Sequence, residues 1–452
     1  MTYLPLQAYF ETIPARSTNF HHRLSSKSRS NMGFEEKAMR VPDFKEESND
    51  HVEEDGAAHE EQWYMYSMSE EVENIERYRP GGYHPVNLGD RLGGQYKIIH
   101  KLGHGGFGTV WLARDIREEK YVAIKIVMSK HSKATVKHEL KILKYIAEHV
   151  GQPGGNFIDI PIEDFWINGP NGHHLCIVSE VAGPSIAQLT RNNKKVKTED
   201  AQRMALQITQ CLGFLHYQKI GVAHGDLTSG NVLLELNNFG SLPVEKVHEF
   251  LGQPSREQVR PFTGRTLGNS APEFVYQAAD LTKLSQFYSG NIILIDFGDA
   301  FFLDDIPGGV GTPAQFCSPE LLIQNLCGKS SDVWALACTI FEIRCGRVLF
   351  EAFMGSDEDV LLAMLGALGP FPSHFTKGEE FEWLKDAEGD GSELEEVVFN
   401  IKSISEDEAC ALYDLLKATL RYDIEERLTA DEIPRHPWFS YNFQVGGGAE
   451  AE

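Results

Sequence analysis

The stretch "GVAHGDLTSGNVLL", residues 221–234, decides how this chain is read. It sets His224, Asp226 and Asn231 in the spacing His-x-Asp-x-x-x-x-Asn, and it raises a question at two further positions, Gly225 and Thr228. Downstream, "LIDFGDA" carries Asp296 at the end of the apolar run "NIILI". Two carboxylates and an amide form the smallest oxygen donor set that can hold magnesium against phosphate, where neutralising charge matters more than covalent chemistry. Any one such motif can arise by chance, so the reading depends on the residues around it.

Upstream, "YKIIHKLG" and "TVWLARD" alternate like strands on either side of "LGHGGFGTV", where Gly103, Gly105 and Gly108 keep G-x-G-x-x-G spacing. In a dinucleotide fold the same letters open a helix and an acid follows about 20 residues on. Here a strand follows, and the next marked residue is Lys125 in "YVAIK". The loop between Leu102 and Val110 therefore reads as a flap whose backbone N–H groups face ATP phosphates, with an ordinary hairpin turn as the bland alternative. Lys125 would pair with the α- and β-phosphates, held by a carboxylate from the next helix. The candidate is Glu139 in "ATVKHELKILKYIAEHV", a predicted helix with Val136, Leu140, Leu143, Ala147 and Val150 on one face.

Composition narrows the partners. The 452 residues carry a formal charge of −24, which argues against nucleic acid or an anionic membrane and favours basic partners. Seven scattered cysteines without a Cys-x-x-Cys pair suit a reduced intracellular protein, neither a disulfide frame nor a zinc site. The His-His pairs at 21–22 and 173–174 lack companion ligands at metal-site spacing. Apolar runs near 333–343 and 360–368 fall short of the roughly 20 residues that cross a bilayer. Residues 1–31 hold Ser and Arg with Glu11 as their only acid, so a mitochondrial presequence is a minor alternative to a disordered tail.

Along the chain we expect a disordered extension over 1–80 with an acidic arm at 35–76. A small strand-rich lobe with its lead-in follows over 81–183, then a helical lobe over 184–440 and a flexible tail over 441–452. Residues 237–289, rich in Pro, Gly and polar side chains, read as an insert or long loop between two short strands within the helical lobe.

Five motifs in this order resemble a eukaryotic protein kinase over about residues 96–440, which implies a bilobal α+β fold with a small β-rich lobe and a large helical one. The resemblance implies ATP and Mg²⁺ as cofactors. Asp226 would orient and deprotonate an acceptor hydroxyl, while Asn231 and Asp296 would hold the metal ions. It also makes "HLCIVSEVAGP" a hinge, with backbone groups around Glu180 and Ala182 for the adenine edge and Ser179 as a small gatekeeper. "GTPAQFCSPELL" then ends the activation segment, with Glu320 paired to Arg427, and Asp332 in "SSDVW" braces the catalytic loop.

Within kinases, "RYRPGGYHPVNLGDRLGGQYKIIHKLGHGGFGTVWLARD", "HELKILKYI" and "DEDVLLAMLGALGPFP" resemble the SR-protein kinases, in a divergent, fungal-type form. The glycine-tyrosine-histidine-proline run is the most specific piece. That resemblance implies transfer to Ser in basic Arg/Ser-rich proteins such as splicing factors, by a monomer acting in cytoplasm and nucleus.

Gly225 stands where most kinases carry the Arg that reads a phosphorylated activation loop, and "DAFFLDDIPGGVG" (299–311) holds no Ser, Thr or Tyr to phosphorylate. Activity without loop phosphorylation is the expectation. Thr228 replaces a Lys that faces the γ-phosphate, a contact whose loss costs on the order of 10²–10³ in rate. Ala314 and Cys317 replace two basic residues of the family. Asp359 matches an acidic docking position, and Gly366 stands where the family has Glu. A nucleotide-binding pseudokinase scaffold, and less so a small-molecule kinase, remain the competing classes.

Overall fold

The computed structural model describes residues 64–65, 72–261, 267–352, 356–377, 381–402 and 404–440. The expected presequence region and the tail at 441–452 lie outside them. After β1 (Tyr64–Met65) come β2 (Arg91–Leu92), β3 (Tyr96–Gly105), β4 (Gly108–Asp115), β5 (Lys120–Val127), β6 (Glu163–Gly169) and β7 (Gly172–Glu180). The last six form one antiparallel sheet in the order β2-β3-β4-β5-β7-β6. Side chains alternate across it. Trp111 lies opposite Ile124 on a buried outer face, while Val110 lies opposite Lys125 on the other.

The helix expected over 134–150 is two helices, α1 (Ser129–Lys137) and α2 (Glu139–Ala147), broken at His138 (φ −116°, ψ −79°). They answer to different partners. Ser132 of α1 accepts from the Leu175 N–H of β7, whereas Leu140, Leu143 and Ile146 of α2 bury into the core shared with the helical lobe. Val150 lies beyond the end of α2.

The large lobe begins with β8 (Ala182–Ser185), α3 (Ile186–Thr190), α4 (Thr198–His216), β9 (Val222–Ala223) and β10 (Val232–Leu236). Ser185 and Gln188 form a capping box at α3. Ala201, Met204, Ala205, Ile208, Cys211, Leu212 and Leu215 give α4 a buried stripe at helical spacing.

The insert follows. It contains α5 (Val244–Leu251), β11 (Arg256–Gln258), β12 (Arg260–Pro261) and β13 (Phe274–Tyr276), and the chain returns in β14 (Tyr288–Leu294) beside β10. Next come β15 (Phe301–Phe302), paired with β9, then α6 (Pro319–Gln324) and α7 (Lys329–Cys345). The chain closes with α8 (Asp357–Leu368), α9 (Glu393–Phe399) and α10 (Glu406–Thr419). From Asp332 to Cys345, α7 is buried on every side, which makes it the central helix of this lobe.

Two boundaries need correction. The insert was expected as a polar loop of the helical lobe, but it packs on the small one. Phe239, Val247, Leu251, Ala279 and Leu284 share a core with Ile99, Leu112 and Tyr121, and Tyr276 meets the Trp111 ring at 5.9 Å. Nor is the chain before residue 81 wholly an extension. Val72, Ile75 and Tyr78 are buried with Val259, Ala271 and Val275 of the insert, and Glu73 forms a fully buried ion pair with Lys101 of β3. An ion pair that deep persists only when both charges are matched, so residues 72–80 belong to the lobe.

Candidate active site

The cleft between the lobes gathers the expected side chains from separate elements. Lys125, on the inner face of β5, donates to Glu139 Oε1 at 2.9 Å and lies 3.3 Å from Asp296 Oδ1. Burial opposes its charge, but Glu139 and Asp296 outweigh burial and hold its pKa above the ordinary value. Asp296 follows β14 in the left-handed region (φ 64°), and the Lys125 ammonium keeps its carboxyl below the usual range. Leu102 and Gly103 lie on β3, with Gly105 and Gly108 paired where the glycine loop turns back into β4. At the hinge, Glu180 ends β7 with its side chain toward Lys120 at 3.4 Å, and Ala182 opens β8.

The floor is the loop between β9 and β10. Asp332, buried at the start of α7, accepts from the N–H groups of His224 (2.8 Å) and Gly225 (2.9 Å) and meets His216 Nε2 at 2.8 Å. Asn231 Nδ2 donates to the Asp226 carbonyl and to Asp226 Oδ2, both at 2.9 Å. Those bonds leave the amide oxygen of Asn231 unused. Asp226 Oδ1 is buried without a hydrogen-bond partner, the state of an acceptor awaiting a donor. Burial, then the Asp299 and Asp296 carboxylates, push the Asp226 pKa up to about 8. Crowded carboxylates and an amide oxygen are hard donors of the kind magnesium takes together with phosphate and water, so the residues fit a metal–nucleotide complex.

Gly225 has φ +75°, and a Cβ there would lie 2.2 Å from the Asp299 carbonyl oxygen. The activation segment is drawn onto this point: Thr312 Oγ1 donates to the Gly225 carbonyl, and Asp299 Oδ1 accepts from Gly311 N–H at 3.0 Å. No side chain, Arg included, fits at 225 while the segment lies this way. At the segment's end Glu320 accepts a bidentate pair from Arg427 at 2.7 and 3.0 Å, both side chains buried. Thr228 is also buried, and its carbonyl accepts from Asn231 N–H at 3.1 Å.

Three features escaped the sequence reading. Asp159 lies near Ser179, and burial pushes its pKa up to about 6. A lone acid inside "NFIDIPI" was the available signal. Asp299 appeared only as the first residue of the stretch 299–311, with no hint that its side chain would bind that segment. On α8, a Cβ at Gly366 would lie 2.5–2.8 Å from the Glu393 carboxylate oxygens, so the glycine makes room for an acid supplied by α9.

Comparison with known proteins agrees with this geometry. The protein kinase domain model matches residues 96–439, and the chain belongs to the protein kinase family. The relatives it matches along most of their length are named as protein kinases, one of them as an SRPK. They include "Serine/threonine-protein kinase SRPK" of Physarum polycephalum (29% identical, covering 82% of this chain and 92% of the relative) and "Protein kinase dsk1" of Schizosaccharomyces pombe (26%; 82% and 86%). The human "SRSF protein kinase 3" is 32% identical over 49% of this chain and 39% of its own length. The crystal structure of a kinase domain superposes with a TM-score of 0.57 at 23% identity, covering 79% of this chain and 98% of the other, a likeness of fold. Kinase domains in general use ATP with a divalent metal. Among the described residues no helix is long and apolar enough to cross a membrane.

Proposed function

We propose that the protein transfers the γ-phosphate of Mg-ATP to Ser or Thr in basic, Arg/Ser-rich proteins, without phosphorylation of its own activation segment. The observation that carries the transfer reading is the orphaned Asp226 Oδ1 beside Asn231 and Asp296. In this reading the acceptor hydroxyl donates to Asp226 Oδ1, which aligns the alcohol and takes its proton as the new bond forms. Asn231 and Asp296 offer oxygen to magnesium, which when bound neutralises the phosphate charge. Lys125, oriented by Glu139, holds the α- and β-phosphates, the glycine loop covers them, and the hinge backbone at Glu180 and Ala182 receives the adenine.

Independence from loop phosphorylation is supported by the direct contacts of Thr312 and Asp299, which occupy the role a phosphate would otherwise fill. The basic-substrate reading rests on the charge of −24 and on the acids at Asp359 and Glu393, the latter beside Gly366. Thr228, lacking a positive charge where the transferred group would sit, favours the alternative of a nucleotide-binding scaffold.

Labelled ATP, Mg²⁺ and an Arg-Ser peptide, run with and without phosphatase pretreatment, test the proposal. Transfer to serine should survive the phosphatase, and Asp226→Asn should lower it on the order of 10³-fold while nucleotide binding persists. Nucleotide binding with no transfer would leave the scaffold, and loss of transfer after phosphatase would remove the phosphate-independent part.

A further inference from the structure

In a hairpin flap over a nucleotide, what matters is the direction of its peptide units. The carbonyl and N–H of a trans peptide point opposite ways, so fixing one fixes the other. In this chain three consecutive carbonyls of the glycine loop are held from outside the hairpin. Tyr83 Oη donates to the Gly105 carbonyl at 2.7 Å, and Arg77 Nη1 to the Gly106 carbonyl at 2.9 Å. Met128 N–H donates to the Phe107 carbonyl at 2.8 Å. Tyr83 is buried, while Arg77 is exposed and its Nη1 also donates to Tyr83 Oη at 3.5 Å, so the two side chains reach the loop as a pair.

The segment that supplies both side chains is itself built to reach there. Gly82 packs so tightly that a Cβ would lie 1.8 Å from the Arg77 carbonyl oxygen, and Gly81 has φ +84°. This fold-back brings Arg77 and Tyr83 together, with Tyr83 N–H on the Arg77 carbonyl at 3.0 Å. The Gly81 and Gly82 carbonyls accept from Lys130 and Ser129 at the start of α1, where first-turn N–H groups lack helical partners. Asn171 Nδ2 joins the Tyr83 carbonyl to that of Ser270 in the insert. The glycine-tyrosine run that is most specific in the sequence thus has a mechanical role.

We propose that Arg77 and Tyr83 are positioning residues that preset the glycine loop for nucleotide. With the carbonyls of Gly105 and Gly106 drawn toward the lead-in and that of Phe107 toward Met128, the N–H groups that follow them are turned toward the face that carries Lys125. A loop already ordered this way loses less entropy when phosphate binds. The inference rests on the reading that this cleft takes ATP, so its test has a readout that does not.

Full-length wild type, Tyr83→Phe, Arg77→Ala and Arg77→Lys are compared by amide hydrogen exchange without ligand and by calorimetry with Mg-ATP. Tyr83→Phe keeps the ring and guards against a misfolded variant. Faster exchange confined to residues 104–108 is expected in Tyr83→Phe and Arg77→Ala. Each of these two should show about three- to tenfold weaker Mg-ATP binding and an equal rise in the ATP KM. The kcat and the peptide KM should stay within twofold, and Arg77→Lys should recover part of the loss. Unchanged loop exchange in both variants would overturn the proposal. So would a general loss of kcat and stability with the ATP KM unmoved. If wild type takes up no nucleotide but the loop exchange still responds, the ATP reading fails and the clamp stands.

Discussion

The floor and the roof of the cleft are secured in different ways. Beneath, Asp332 grips the catalytic loop through two backbone N–H groups, Arg427 closes on Glu320, and Gly225 meets the Asp299 carbonyl with no room for a Cβ. These contacts are buried, mostly charged, and share partners. Above, the glycine loop hangs on single hydrogen bonds from Tyr83, Arg77 and Met128, one of them exposed. The difference teaches where regulation can enter. The floor is locked by buried charge, whereas a roof held by separable bonds can be loosened without unfolding the lobe.

That contrast orders the expected effects of substitution. Arg427→Ala leaves Glu320 buried and unpaired, and should cost about 3–5 kcal/mol in denaturant unfolding of the large lobe. A loss below about 1 kcal/mol would show that the floor is no firmer than the roof. Gly225→Ala forces a side chain into a left-handed backbone against Asp299, so about 2–4 kcal/mol and most of the activity should go. An active, stable Gly225→Arg would mean that the activation segment does not lie as described. Glu393→Gln touches neither region and should only raise the KM for a basic peptide about two- to fivefold, with the ATP KM unmoved.

Legibility in the sequence followed the same division. Lys125, Asp226, Asn231 and Asp296 could be named in advance because phosphate chemistry restricts which residue types can stand at those spacings, and they do converge on one cleft. The strands around the glycine loop were readable from period-two alternation. Gly225 was readable only as a missing arginine. Its real constraint is a backbone angle and a carbonyl oxygen that would lie 2.2 Å from any Cβ, which no residue-type pattern encodes. The insert misled because its apolar residues, Phe239, Val247, Leu251 and Leu284, are spread among Pro and Gly and bury against a lobe distant in sequence. Glu73 looked like one more acid of an acidic arm, since its partner Lys101 lies across a tertiary contact. Glu393 replaces the acid expected at 366 in space, through packing of α9 on α8 that residue order alone does not reveal.

In the proposed reading, Lys125, Asn231 and Asp296 clamp a magnesium–nucleotide complex in front of Asp226. Calorimetry of wild type and Asp296→Asn with ATP, with and without Mg²⁺, tests it most directly. Wild type should bind ATP in a magnesium-dependent manner, and Asp296→Asn should lose most of the magnesium dependence. Nucleotide uptake that ignores magnesium in both proteins, or no uptake by wild type, would contradict the account.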